Sequence, residues 1–213
     1  MALKFLRPAA RTRPEIVTRF AREARAAAKI DSDHVARVYD VGGTNEGTPF
    51  IVMEYLEGRD LEQILGNDGR VDVAEAALFI VQACEGLSSA HTRGIVHRDI
   101  KPANLFIIET TSGPQVKLLD FGISKAGITG DEVDVSSANT TQIMGSPHYM
   151  SPEQIRSTKD VDSRADIWSL GVVMYELLTG AIPFDGDGVG EILAAILDAN
   201  PVPVSSSDTR WPG

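Results

Sequence analysis

Asp99, Lys101, Asn104 and Asp120 lie in one stretch, His97 to Gly122, with two short apolar runs between Asn104 and Asp120. Two carboxylates, an amide and a cation at this spacing suit phosphoryl transfer, which asks for positioning and charge neutralisation more than covalent chemistry. A carboxylate must stand near the attacking hydroxyl, and Asp99 can supply it. A hard cation such as Mg2+ takes one or two protein oxygens beside phosphate and water, and Asn104 and Asp120 can supply those. Cations must meet the phosphates, with Lys4 and Lys101 as candidates. Each residue alone has an ordinary explanation: Asp99 as a turn cap, Asn104 as a loop residue, Asp120-Phe121-Gly122 as a turn. In this order and at this spacing the ordinary explanations do not hold jointly.

The elements that must position these residues follow from periodicity. Residues 1–6 alternate as a strand and 8–14 form a basic connector. A helix is expected from Pro14 to about Ile30, with Ile16, Phe20, Ala27 and Ile30 on one face. Glu23 falls on that apolar stripe. It either pairs along the helix with Arg19 or Arg22, or turns inward to Lys4 on the neighbouring strand, and the spacing leaves both open. Residues 35–41 and 50–56 read as strands around a turn at 42–47, with Gly58 as a joint. Helices are expected at about 61–65 and 73–91, the longer one burying Val73, Ala77, Ile80, Val81, Cys84 and Leu87. Short strands follow at 105–108 and 116–119, then a loop at 123–152 long enough to be functional or disordered. Helices resume at 163–179 and 188–198.

At 213 residues and 43% hydrophobic content the chain can bury a core, as one large domain or two small lobes. A net charge of −10 argues against a nucleic-acid surface. Residues 4–29 are nonetheless locally basic, which suits a solvated helix face or a docking surface for a phosphate or an acidic segment. The one cysteine, Cys84, permits no internal disulfide and reads as a packed core residue. No secretory signal opens the chain, and the most hydrophobic stretch, 167–184, is interrupted by Glu176 and reads as a buried helix, not a membrane span.

In its motifs the chain resembles protein kinases of the eukaryotic type, and specifically the bacterial serine/threonine kinases of that family, from about residue 2 to 198. Ala2-Leu3-Lys4 resembles the end of the family's Val-Ala-x-Lys strand. Glu23 falls where the family's helix glutamate pairs with that lysine, so the resemblance selects Lys4 as its partner. Met53-Glu54-Tyr55-Leu56 resembles the hinge, residues 97–104 the catalytic loop, and residues 120–122 the metal-binding Asp-Phe-Gly. Gly145 to Glu153 resembles the segment that seats the substrate, and Asp166 to Gly171 the start of the central helix.

The resemblance implies an α+β, two-lobed protein-kinase-like fold, with a small β-rich lobe over residues 1–57 and a larger, mainly helical lobe over 58–213. It implies transfer of the γ-phosphate of ATP to serine or threonine in proteins, with Mg2+, or alternatively Mn2+, as the metal. Asp99 would orient the hydroxyl, Lys101 steady the γ-phosphate, Asn104 and Asp120 bind the metal, and Lys4 grip the α- and β-phosphates. Met53 would be the gatekeeper, the Glu54 carbonyl and Leu56 amide would hold adenine, and Ala2 and Phe106 would sandwich it. Ser146 and Glu153 would seat the substrate, and Asp166 would brace the catalytic loop from beneath. His97 is expected to be a packed structural residue. Arg98, Arg19 and Lys125 would converge on a phosphate at Thr140 or Thr141, with Ser136 and Ser137 behind them.

The expected partners are protein substrates, with a kinase–kinase dimer as a route to autophosphorylation, and no nucleic acid or membrane segment. The expected setting is cytoplasmic, either free or as the cytoplasmic part of a longer membrane-anchored protein. Two departures stand out: no Gly-rich loop precedes Lys4, and the family's last helices, with the arginine that would pair with Glu153, do not follow residue 198. Both suggest a chain shortened at its two ends. They keep open an alternative, a kinase-shaped binding or scaffold module without activity.

Overall fold

The computed structural model describes residues 1–6, 8–11, 13–45, 47–121, 147–156 and 161–206. Strand β1 (Ala2–Phe5) turns Ala2 and Lys4 inward and leaves Leu3 and Phe5 outside. It pairs antiparallel with β3 (Pro49–Met53), which pairs antiparallel with β2 (Val38–Gly43), so the order is β1-β3-β2. Helix α1 (Pro14–Ala27) starts at Pro14, whose fixed φ suits a first turn, and lays Ile16, Phe20 and Ala24 on Leu6 and Ile51. These elements make the small lobe.

Below it, β4 (Gly58–Asp60), β5 (Leu105–Thr110) and β6 (Gly113–Leu118) form a second antiparallel sheet. Helix α2 (Leu61–Asp68) is capped by Asp60, whose side chain accepts from the Gln63 amide at 2.8 Å. Helix α3 (Val73–His91) is capped in the same way by Asp72. A short α4 (Pro152–Arg156) precedes the central α5 (Arg164–Thr179), and α6 (Val189–Asp198) follows it. One core joins α3, α5, β5 and β6 through Phe79, Leu87, Leu105, Leu118, Val173 and Leu177. By length and composition α3 is apolar enough to cross a membrane, yet it packs into this core.

Three expectations change. Val35 leaves β2 and makes a parallel bridge to Leu118, so the loop after α1 is bonded to the lower lobe through Ala36 N to Leu118 O and Leu118 N to His34 O, both 2.9 Å. The strand after the turn stops at Met53, which releases residues 54–56 from the sheet. The buried face of α3 is Ala76, Phe79, Ala83, Gly86, Leu87 and Ala90, so Val81 and Cys84 are exposed and Cys84 is not a core residue. The face is rotated because α3 approaches the small lobe's loop closely. A Cβ on Gly86 would come within 2.8 Å of the His34 carbonyl.

Candidate active site

Asp166, in the first turn of α5, is fully buried beneath the loop that carries Asp99. Its Oδ2 accepts from the His97 amide at 2.8 Å and meets His91 Nε2 at 2.7 Å, and its Oδ1 accepts from the Arg98 amide at 2.7 Å. These bonds hold Arg98 at φ 64°, a left-handed conformation that costs a non-glycine residue about 1–3 kcal/mol unless its surroundings impose it.

His97 ties the loop to the strand end. Its Nε2 donates to the Leu119 carbonyl at 2.7 Å and its Nδ1 accepts from the Asp99 amide at 3.3 Å. A carbonyl can only accept and an amide can only donate, so the ring is the neutral tautomer with its proton on Nε2. Burial pushes its pKa below the ordinary histidine value, against the nearby Asp166 charge, which raises it. The ring also packs against Phe121, with centroids 4.5 Å apart.

Asn104 Nδ2 donates to the Asp99 carbonyl at 2.7 Å and to Asp99 Oδ2 at 3.1 Å, while Lys101 Nζ stands 3.4 Å from the same oxygen. The Leu119 amide donates to the Asn104 carbonyl at 2.9 Å, which sets Asp120, at φ 61°, beside the loop. Asp99, Lys101, Asn104 and Asp120 are therefore gathered on one floor.

The wall above differs from expectation. Lys4 pairs with Asp120, not with Glu23. Glu23 Oε1 pairs instead with Arg19 Nε at 2.8 Å, one turn back on α1, and Glu23 Oε2 is buried without a hydrogen-bond partner among the described residues. The helix-surface pairing that the spacing allowed is thus the one made. Its physical reason is proximity: Arg19 lies on the same helix at i−4, and Asp120 already supplies Lys4 with a carboxylate. That bond also engages Arg19, which was expected at a phosphate pocket.

A cavity beside this pair is lined by Lys4, Ala27, Val38, Met53, Asp120 and Phe121. Ala2, Glu54, Leu56 and Phe106 lie outside its lining. A second cleft joins Arg98, Asp99 and Lys101 to Tyr149, Met150 and Gln154, where Gln154 Nε2 donates to the Arg98 carbonyl at 3.1 Å. Tyr149, which lines it, donates from Oη to Glu176 Oε2 at 2.7 Å, and burial raises the pKa of both groups. Glu153 stands half-buried in the first turn of α4. Gly122, Lys125, Ser136, Ser137, Thr140, Thr141 and Ser146 lie outside the described residues. Sequence reasoning missed His91 and the buried Lys117, which meets both oxygens of Glu54 at 3.2 Å. Only the pairing of distant segments reveals them.

Comparison with known proteins accords with this geometry. Residues 1–211 match the family model described as the protein kinase domain. The chain belongs to the protein kinase family. It is 39% identical over 208 residues to the serine/threonine-protein kinase PknB of Mycobacterium leprae, covering 96% of this chain and 32% of that protein. It is 37% identical over 213 residues to the probable serine/threonine-protein kinase CPE1738 of Clostridium perfringens, covering 100% of this chain and 30% of that protein. The crystal structure of the Mycobacterium tuberculosis PknI kinase domain aligns with a TM-score of 0.70 at 29% identity, over 97% of this chain and 70% of that one. The kinase chain thus spans about a third of the length of these curated relatives.

Proposed function

We propose that the chain transfers the γ-phosphate of ATP to serine or threonine hydroxyls of proteins. The observation that carries this reading is the single floor on which Asp99, Lys101 and Asn104 are bonded to one another beside Asp120. Asp99 accepts or orients the proton of the attacking hydroxyl, which enters through the cleft shared with Met150 and Gln154. Lys101 faces the same point and steadies the charge on the moving phosphate. The relatives' names as serine/threonine kinases support the choice of substrate class.

The residues present fit a divalent cation. Asn104 spends its Nδ2 on Asp99, which leaves Oδ1 as an oxygen donor that could act together with the Asp120 carboxylate. Two protein oxygens are what Mg2+ takes when phosphate and water complete its shell. Mg2+ bound there would neutralise phosphate charge. Lys4 would then exchange Asp120 for the phosphates, and the unpartnered Oε2 of Glu23 would be the carboxylate oxygen to receive it. We assign residues 1–57 to the upper lobe and 58–213 to the lower.

The Lys4–Asp120 pair supports a second reading, a binding module that holds its lysine and metal carboxylate against each other and transfers nothing. Radiolabelled transfer from ATP to a generic protein substrate separates the two. The kinase reading expects transfer that Asp99→Asn abolishes, and transfer insensitive to that substitution sinks it.

A further inference from the structure

Lys117 is a buried ammonium, 8% exposed, that the chemistry above does not use. It lies on β6 in register with Phe106 on β5, which is in register with Asp60 on β4, so the three stand in one row on one face of the lower sheet. Its Nζ meets Glu54 Oε1 and Oε2 at 3.2 Å each. Glu54 directly follows β3, and its amide donates to the Arg37 carbonyl at 2.8 Å, one step beyond the Val38–Met53 pair. A hydrogen-bonded antiparallel pair ordinarily exchanges two bonds, so the Arg37 amide should return to the Glu54 carbonyl. It goes instead to Glu54 Oε2 at 3.1 Å. The side chain has taken the place of its own backbone, and among the described residues no hydrogen bond reaches the Glu54 carbonyl.

We propose that Lys117 is a positioning residue for base recognition: by holding the Glu54 carboxylate over the Arg37 amide, it keeps the Glu54 carbonyl out of the sheet and free to accept from the exocyclic amino group of a purine. The inference rests on the nucleotide-binding reading above. Stability alone does not call for this lysine, because a buried ion pair replaced by apolar side chains is often neutral. Without the ammonium the carboxylate is no longer held, and the Arg37 amide can reclaim the carbonyl.

The test is calorimetric binding of Mg·ATP and of the magnesium complex of purine riboside triphosphate, which lacks the 6-amino group. One hydrogen bond gives the wild type about a tenfold preference for ATP. In Lys117→Met the preference falls to about twofold or less while the affinity for the purine riboside nucleotide holds. Lys117→Arg restores most of it. Glu54→Gln, which keeps the shape and weakens the pair, falls between and gives a reading even where Lys117→Met does not fold. A preference unchanged in both Lys117→Met and Glu54→Gln, or an equal loss for the two nucleotides, overturns the inference alone. A wild type that binds neither nucleotide overturns the nucleotide reading and this inference with it.

Discussion

Beneath the cleft, Asp166, His97 and Asn104 are sealed from water and bonded largely to backbone amides and carbonyls. Above it, Lys4 and Glu23, 32% and 19% exposed, meet their partners through side chains alone. A backbone bond made by a buried group has no water to replace it, so breaking it costs the full desolvation of both partners. A part-exposed ion pair is screened and can change partner at little cost. The lower lobe therefore holds the reacting groups at fixed positions, while the upper lobe holds its charges in an arrangement that can be exchanged. That division suits an enzyme whose phosphate-binding wall must rearrange around a nucleotide and whose base must not move.

The largest effect is expected from removing the chemistry while keeping the floor. Asp99→Asn preserves the shape and the acceptor for Asn104. Transfer is expected to fall by about a thousandfold, the loss typical of a positioned proton acceptor, with stability little changed. Measurement of initial rates beside a urea melt checks both halves. A large loss of stability would mean that Asp99 belongs to the scaffold.

Removing the brace should do the reverse. Asp166→Asn turns one acceptor oxygen into a donor facing the His97 amide, the Arg98 amide or His91, all of which now reach Asp166 at 2.7–2.8 Å. Roughly 3 kcal/mol of stability should be lost, as expected when a buried charged acceptor of several bonds is broken. Chemical denaturation reads this directly. A change below about 1 kcal/mol would show that the loop is held by something other than Asp166.

How much of this was legible in sequence divides along the same line. The floor was legible because its residues are close in the chain and their chemistry is distinctive: Asp99, Lys101 and Asn104 are neighbours. The face of α3 is not legible from its large apolar side chains. The helix in fact buries small ones, Ala76, Ala83, Gly86 and Ala90, that let the His34 loop approach. Periodicity placed Glu23 on the inner stripe but could not choose between Arg19 and Lys4, because both lie within reach of that face. The Glu54–Lys117 pair joins a residue just past β3 to one on β6 of the other sheet and leaves no local pattern.

The neutral His97 gives the floor a pH signature. Its folded pKa lies below the ordinary 6.5, burial being the main cause. Between that folded value and 6.5 the unfolded chain binds more protons, so its contribution is complete above about pH 6.5 and is lost as pH falls towards the folded pKa. Glu176 acts in the opposite sense: burial raises its folded pKa, so its protonation on acidification favours the fold. The difference between wild type and His97→Gln therefore isolates the histidine. Wild type should lose more stability than the variant as pH falls from 7 to 5.5. Equal slopes would mean that His97 accepts its proton without penalty in the folded chain.

The smallest expected effect tests the upper wall. Glu23 and Arg19 form an i,i+4 pair on a helix, with 19% and 27% of their side chains exposed, a class of interaction worth about 0.5 kcal/mol or less. Glu23→Gln should accordingly leave the denaturation midpoint nearly unchanged in the absence of nucleotide. It should still lower transfer activity, because the exchange that brings Lys4 to the phosphates needs a carboxylate at that position. A stability loss of about 3 kcal/mol would mean that Glu23 is already paired with Lys4 in a buried bridge in solution. The upper wall would then be as fixed as the floor.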